Sequence, residues 1–204
     1  MNITNVFKAT KQVGRRYKQL PILLLVAACM VSVLSSSAQA YNLWGFRWFT
    51  TPTSGCCLNR SVKSFTMSSF LTTDAWYAWT NGIAWWSHNN NASINVNMSY
   101  ASSSTVKVWE VQNPNVTWDG LSSPTFMGGG QFATMDMFLN TTWAGGYSWQ
   151  KRLSVTSHEV GHMLGLDHRS GACTLMQPDS FTRWDSCGVN SATADDINGV
   201  NSLY

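Results

Sequence analysis

His158-Glu159-Val160-Gly161-His162-Met163-Leu164-Gly165-Leu166-Asp167-His168 is the stretch on which the reading of this chain turns. Its spacing is His-Glu-x-x-His-x-x-Gly-x-x-His. His158 and His162 stand four residues apart, so on a helix both project from one face, one turn above the other. Gly165 suits the left-handed turn by which a chain leaves a helix, and such a turn directs His168 back towards the first two imidazoles. Three neutral nitrogen ligands with an open fourth position describe a catalytic zinc site rather than a closed structural one. Glu159 would stand beside the metal, free to take a proton from bound water. A surface helix can also carry two histidines and a glutamate with no metal involved. The extension through Gly165 and His168 argues against that, because the chain has only four histidines and three fall here.

The extended motif resembles that of the metzincin metallopeptidases, which share a methionine-containing turn after the third histidine. Leu175-Met176-Gln177-Pro178 is similar to that turn, and residues 195–204 resemble the last helix of the matrixin branch. The resemblance implies an α+β fold: a twisted mixed sheet of about five strands, three helices, and a cleft above a small C-terminal part. It also implies a zinc-dependent endopeptidase acting on polypeptide, which the leader-like first forty residues would make a secreted one. His158, His162 and His168 would hold one Zn2+, Glu159 would be the general base for zinc-activated water, and Met176 an apolar floor rather than a ligand. Substrate is expected as an added strand along residues 122–129, where Pro124 suits a sheet edge. Vertebrate-type matrixins are expected to carry a second, structural zinc on three histidines and an aspartate. Here His88 is the one histidine outside the motif, so a single zinc per chain is expected. Calcium has thin support, since Asp119, Asp136 and Asp185 are scattered rather than gathered into an oxygen cage. The resemblance also implies a prodomain, for which the stretch after Tyr41 leaves no room.

The first forty residues read as a leader. Lys8, Lys11, Arg15, Arg16 and Lys18 stand there without a single acid, an apolar run over 20–34 follows, and Ala38-Gln39-Ala40 is a small-residue cleavage site. That pattern is a secretory signal peptide over residues 1–40, leaving 41–204 as the catalytic domain. A retained anchor is disfavoured by the shortness of the apolar run. Lipid attachment at Cys29 is disfavoured because apolar residues continue beyond it. The whole chain has 13 basic and 10 acidic residues, net +3; removing the five leader cations turns this to net −2. The basic balance therefore belongs to the leader and does not point to nucleic acid. What remains suits one domain with its own core, read as a monomer without stable membrane association.

Cys56, Cys57, Cys173 and Cys187 remain after the leader. An even count in an exported chain suggests two disulfides, in one of three connectivities. Cys173–Cys187 would clamp the turn around Met176, worth roughly 3 kcal/mol in the chain-entropy model. It would leave the adjacent Cys56 and Cys57 to each other, a strained pair that crossed pairing avoids. The first pairing is favoured by a narrow margin and the crossed one stays open.

Alternation marks strands over 61–67, 93–100, 105–111 and 131–140. Ala75, Trp76, Ala78 and Trp79 mark a helix over 71–82, capped by Thr72 or Thr73. The active-site helix spans 149–164, with Leu153, Val160 and Leu164 towards the core. The last helix starts at Thr193, with Asp196 completing a capping box. Trp76, Trp79, Trp85 and Trp86 are expected to fill the space between helix and sheet. Exposed rings would instead favour a secreted carbohydrate-binding protein, which is the alternative, together with a catalytically inactive zinc-binding protein. His88 reads as a surface loop residue.

Overall fold

Ala75, Ala78, Trp79, Ile83 and Trp86 fall at three- and four-residue steps, and all are buried. That stripe makes α1 (Thr73–His88) a helix with one face in the core. Thr72 caps it, its Oγ1 accepting from the Ala75 N–H at 3.2 Å. The structure, a computed structural model, describes residues 41–48, 63–68, 71–88 and 98–204. The helix continues to His88, past the end expected at Gly82, so His88 ends a helix rather than lying in a loop. The reason lies in the partner helix α3 (Trp149–Met163). A Cβ at Gly82 would come within 2.7 Å of Thr156 Oγ1 and 3.0 Å of the Ser157 backbone nitrogen. Gly82 is where two helices approach, not where one stops.

The tryptophans divide. Trp79 and Trp86 lie in the core, their indole N–H groups donating to Trp109 O at 3.3 Å and Ser157 O at 2.8 Å. Trp76 and Trp85 do not, being 45% and 38% exposed. At 100° per residue both fall about 90° round the helix from the buried stripe, one on each flank.

Against α1 and α3 packs a sheet that has, among the described residues, five strands in the order β2-β1-β3-β5-β4. Its members are β1 (Lys63–Met67), β2 (Met98–Tyr100), β3 (Val106–Val111), β4 (Gly120–Met127) and β5 (Gln131–Asn140). All neighbours run parallel except β4, which pairs antiparallel with β5 and forms one edge. Mixed sheet and helices make the fold α+β. Residues 61, 62 and 93–97, also expected as strand, lie outside the described residues. Val106 and Val108 of β3 and Met135, Met137 and Leu139 of β5 are fully buried. Phe132 is buried too, although it is out of phase with Met135. The register explains this: Thr125 faces Thr134 and Phe126 faces Phe132, so Ala133 is an extra residue. Such a bulge flips the alternation and puts both side chains inward.

Asn140 ends β5 and organises the residues on either side of the strand end. Its Oδ1 accepts from Thr142 N at 3.2 Å, capping a short helix α2 (Thr141–Ala144), and from Asn113 N at 3.0 Å. Its Nδ2 donates to Asn113 O and Trp118 O, at 2.9 and 3.2 Å. The turn-rich 113–120 segment is thereby seated beside the start of β4. α2 and a π-helical turn over Phe181–Ser186 add to the three expected helices; both are too short to show a hydrophobic period. The last helix, α4 (Ala194–Leu203), follows Thr193 as expected. Among the described residues, no helix is long and apolar enough to cross a membrane.

Candidate metal centre

Ser148 caps α3 by accepting from Lys151 N, and from Leu153 to Met163 every residue of the helix is buried. His158 and His162 therefore emerge inside the molecule, 3% and 4% exposed. At the other end the helix closes in a paired C-terminal motif. Gly165 N donates to His162 O at 2.9 Å and Leu166 N to Gly161 O at 3.1 Å. Gly165 has φ +100°, and a Cβ there would stand 2.6 Å from Phe46 O, so the turn needs glycine twice over. The chain reverses, and His168 returns from an exposed loop. Its Nε2 lies 3.1 Å from that of His162 and 3.2 Å from that of His158.

Those spacings fit one ion. Nitrogens about 2.0–2.1 Å from a tetrahedral zinc stand about 3.3 Å apart. The tautomers fit as well. His158 Nδ1 lies 2.7 Å from Leu175 O and His162 Nδ1 2.8 Å from Leu166 O. A proton on each Nδ1 leaves each Nε2 lone pair facing the centre. Burial is the largest cause holding all three imidazoles below their usual range, His158 well below it and His162 at about 4. Neutral rings are the state in which imidazole binds metal.

Glu159 is buried beside them, and its carboxyl is pushed up to about 8, chiefly by desolvation. A hydrogen bond from Ser122 pulls the other way: Ser122 Oγ lies 2.8 Å from Glu159 Oε2. A cation at the imidazole centre would lower it further towards the carboxylate range.

Met176 is 2% exposed and packs on α3, where a Cβ at Gly161 would overlap its sulfur. Two clamps hold this turn. Cys173 and Cys187 form a disulfide, the favoured pairing; Cys56 and Cys57 lie outside the described residues. Asp196 of α4 is the second, accepting from Leu175 N at 3.0 Å and Met176 N at 3.2 Å. The same carboxylate accepts from the Thr193 N–H and hydroxyl, at 2.8 and 2.6 Å, so the expected cap also anchors the turn.

The matrixin family model, a peptidase family, matches residues 62–204. The chain belongs to the matrixin family. Among curated relatives, interstitial collagenase of Equus caballus is 35% identical over 63 residues, 31% of this chain and 13% of that protein. A putative matrix metalloproteinase of Spodoptera frugiperda ascovirus 1a is 40% identical over 47 residues, 23% of this chain and 12% of that protein. The aligned stretches thus span only about an eighth of either relative. A solved structure, the GM1-bound form of the ECX AB5 holotoxin, is similar with a TM-score of 0.42 at 13% identity, covering 70% of this chain and 79% of that one.

Several residues of this matrixin site were not legible in sequence. A cavity of about 630 Å³ opens beside the histidines and is lined by Trp118, Asp119, Tyr147, Lys151, Phe181 and Arg183, among others. Arg183 is 1% exposed; its Nε donates to Ser154 Oγ at 2.9 Å and its Nη1 to Gln177 O at 2.5 Å. Burial lowers its pKa, while the Asp119, Glu159 and Asp179 carboxylates oppose the shift. The segment 41–48 also reaches the site. Trp44 stacks on His162, ring centroids 4.8 Å apart, and donates through Nε1 to Asp167 Oδ1 at 3.1 Å. The alternation Trp44, Phe46, Trp48 was the available signal. The scattered acids have other partners: Asp119 accepts from Tyr147 Oη, Asp136 from Trp109 Nε1, and Asp185 pairs with Lys151.

Proposed function

We propose that this chain is a secreted zinc endopeptidase, with residues 1–40 as its signal peptide and 41–204 as a monomeric catalytic domain. The convergence of three neutral imidazoles, with His168 Nε2 3.1 Å from that of His162 and 3.2 Å from that of His158 and with Glu159 buried next to the first, is the observation that carries the reading. Membership of the matrixin peptidase family supports a polypeptide substrate. His158, His162 and His168 would hold one Zn2+ through Nε2. When bound, zinc supplies Lewis acidity and lowers the pKa of a coordinated water to about 7.

The protein side of the reaction falls to a few groups. Glu159 takes a proton from the attacking water and delivers it to the leaving amine nitrogen. Leu175 O and Leu166 O keep the Nδ1 protons of His158 and His162 in place, so the rings do not rotate. The outer edge of β4 offers main-chain groups to an extended peptide, which would pair with it as an added strand. The cavity is lined by Gly120, Leu121 and Ser122, so this pairing centres on the start of β4 rather than on its far end.

Purified protein incubated with unfolded casein, with and without a chelator, tests the reading. Chelator-sensitive cleavage is expected. Glu159→Ala should lower kcat by about 10²–10⁴-fold while one zinc per chain stays bound. Activity of that variant within a few-fold of wild type would remove Glu159 from the mechanism. Two tightly held zincs per chain would contradict the ligand count.

A further inference from the structure

Gly120 and Ser122 lie two residues apart on β4, so both face the same side of the sheet, and that side is Glu159. Ser122 is 9% exposed, and its hydroxyl lies 2.8 Å from Glu159 Oε2 and 3.1 Å from the Glu159 carbonyl oxygen. One hydroxyl has one proton, so it donates to one of these at a time. The carboxylate, as the charged acceptor, is the stronger of the two, and the carbonyl belongs to the α3 ladder. At Gly120 the constraint is space. A Cβ there would stand 2.5 Å from Glu159 Oε1 and 2.7 Å from Val155 Cγ1. Leu121 between them is 37% exposed, as alternation requires.

We propose that Gly120 and Ser122 are positioning residues for Glu159, Ser122 by donating to Oε2 and Gly120 by leaving room for Oε1. The inference rests on the reading of Glu159 as the general base. A glutamate has three rotatable side-chain bonds, and a helix anchors only the first. The β4 strand holds the far end through Oε2 and leaves room beside it for Oε1. The same strand presents the edge proposed to pair with substrate, so the base and the scissile bond share one platform. Neither residue enters the chemistry; Ser122 forms no covalent bond and keeps its proton. Orientation is nonetheless a large factor, since misplacement of about 1 Å can cost about 10²-fold in rate.

Ser122→Ala and Ser122→Thr, compared with wild type on one peptide substrate, provide the test. Ser122→Ala should lower kcat about ten-fold with KM changed less than about two-fold. Zinc content should stay at the wild-type value, and the melting temperature should fall by no more than about 2–4 °C, the cost of one hydrogen bond. Threonine, which restores the hydroxyl on a strand that favours β-branched residues, should bring kcat back to within about three-fold. An unchanged kcat in Ser122→Ala overturns the proposal, as does a loss that threonine does not rescue or that accompanies loss of zinc. If the alanine variant does not fold, Ser122→Cys, a weak donor of similar size, is judged against threonine by the same criteria. Glu159→Ala separates the two failures. If it stays active, the general-base reading falls; if it is inactive while Ser122→Ala is unimpaired, only the positioning role falls.

Discussion

A methyl group added at Gly82 would meet the backbone of α3 as well as the Thr156 hydroxyl, with Ser157 N at 3.0 Å and Thr156 C at 3.1 Å. Alanine in a helix is worth about 1 kcal/mol over glycine, so the exchange has a gain to set against the clash. Overpacking costs typically about 1–3 kcal/mol, and backbone atoms cannot swing aside as a side-chain tip can. We expect Gly82→Ala to destabilise by about 1–2 kcal/mol net, read as a lower urea midpoint at unchanged slope. A midpoint at or above wild type would mean that the helices part without cost. Gly161 is the instructive contrast. Its added Cβ meets mainly the Met176 sulfur, the far end of a flexible chain, so the clash there relaxes more readily. The spacing of the histidines was legible at this scale, because it depends on local helix geometry alone. The glycines that let helices meet were not, because a glycine at 82 reads as a stop until its neighbour is known.

At the scale of elements, α4 does more than close the chain. Its Asp196, 1% exposed, accepts from two backbone N–H groups of the Met176 turn and from both donors of Thr193. Removing the carboxylate leaves several buried donors unsatisfied at once, each costing about 1–3 kcal/mol in part. Asp196→Ala should therefore destabilise by roughly 3 kcal/mol, at the severe end for single substitutions. It should also speed zinc release, because His158 Nδ1 is held by the carbonyl of Leu175 in that same turn. Chemical denaturation and the rate of zinc transfer to a chelating dye check both parts. Loss of stability with unchanged zinc release would detach the turn from the metal site. The Thr193 cap was visible in sequence as a Thr-x-x-Asp pattern. Its reach to residues 20 and 21 positions away was not, since capping is local and this contact is tertiary.

Across the whole molecule, the described segment at 41–48 and the C-terminal helix meet. Arg47 Nη1 donates to Leu203 O at 2.8 Å, and Trp48 N donates to Tyr204 Oη at 3.2 Å. Burial is the largest cause pushing the Tyr204 phenol up to about 12. An unfolded tyrosine ionises near 10, so the folded state holds this proton longer than the unfolded one. The stabilisation is fully present below about pH 10 and is lost as pH rises from there through about 12. Its size is on the order of 3 kcal/mol. Tyr204→Phe should lose less stability between pH 9 and 12 than the wild type does, measured by denaturation across that range. Parallel alkaline limbs for the two proteins would assign the loss to other groups.

The chain's own order of residues determined the ligand spacing, the turn at Gly165 and the extent of β5, because each depends on contacts within a few residues or on hydrophobic period. The α+β class came from the resemblance of the motif. Tertiary structure decided what stands round the ligands. Ser122 reaches Glu159 across 37 positions, Arg183 reaches Ser154 across 29, and Asn42 reaches the carbonyl of His168 across 126. None of these pairs has a periodicity or a local motif to announce it. Packing brings them together, as the bulge at Ala133, the approach at Gly82 and the seating of 113–120 by Asn140 do for β4, α3 and the segment before β4. Those are properties of packed surfaces, and a surface exists only once the chain has folded.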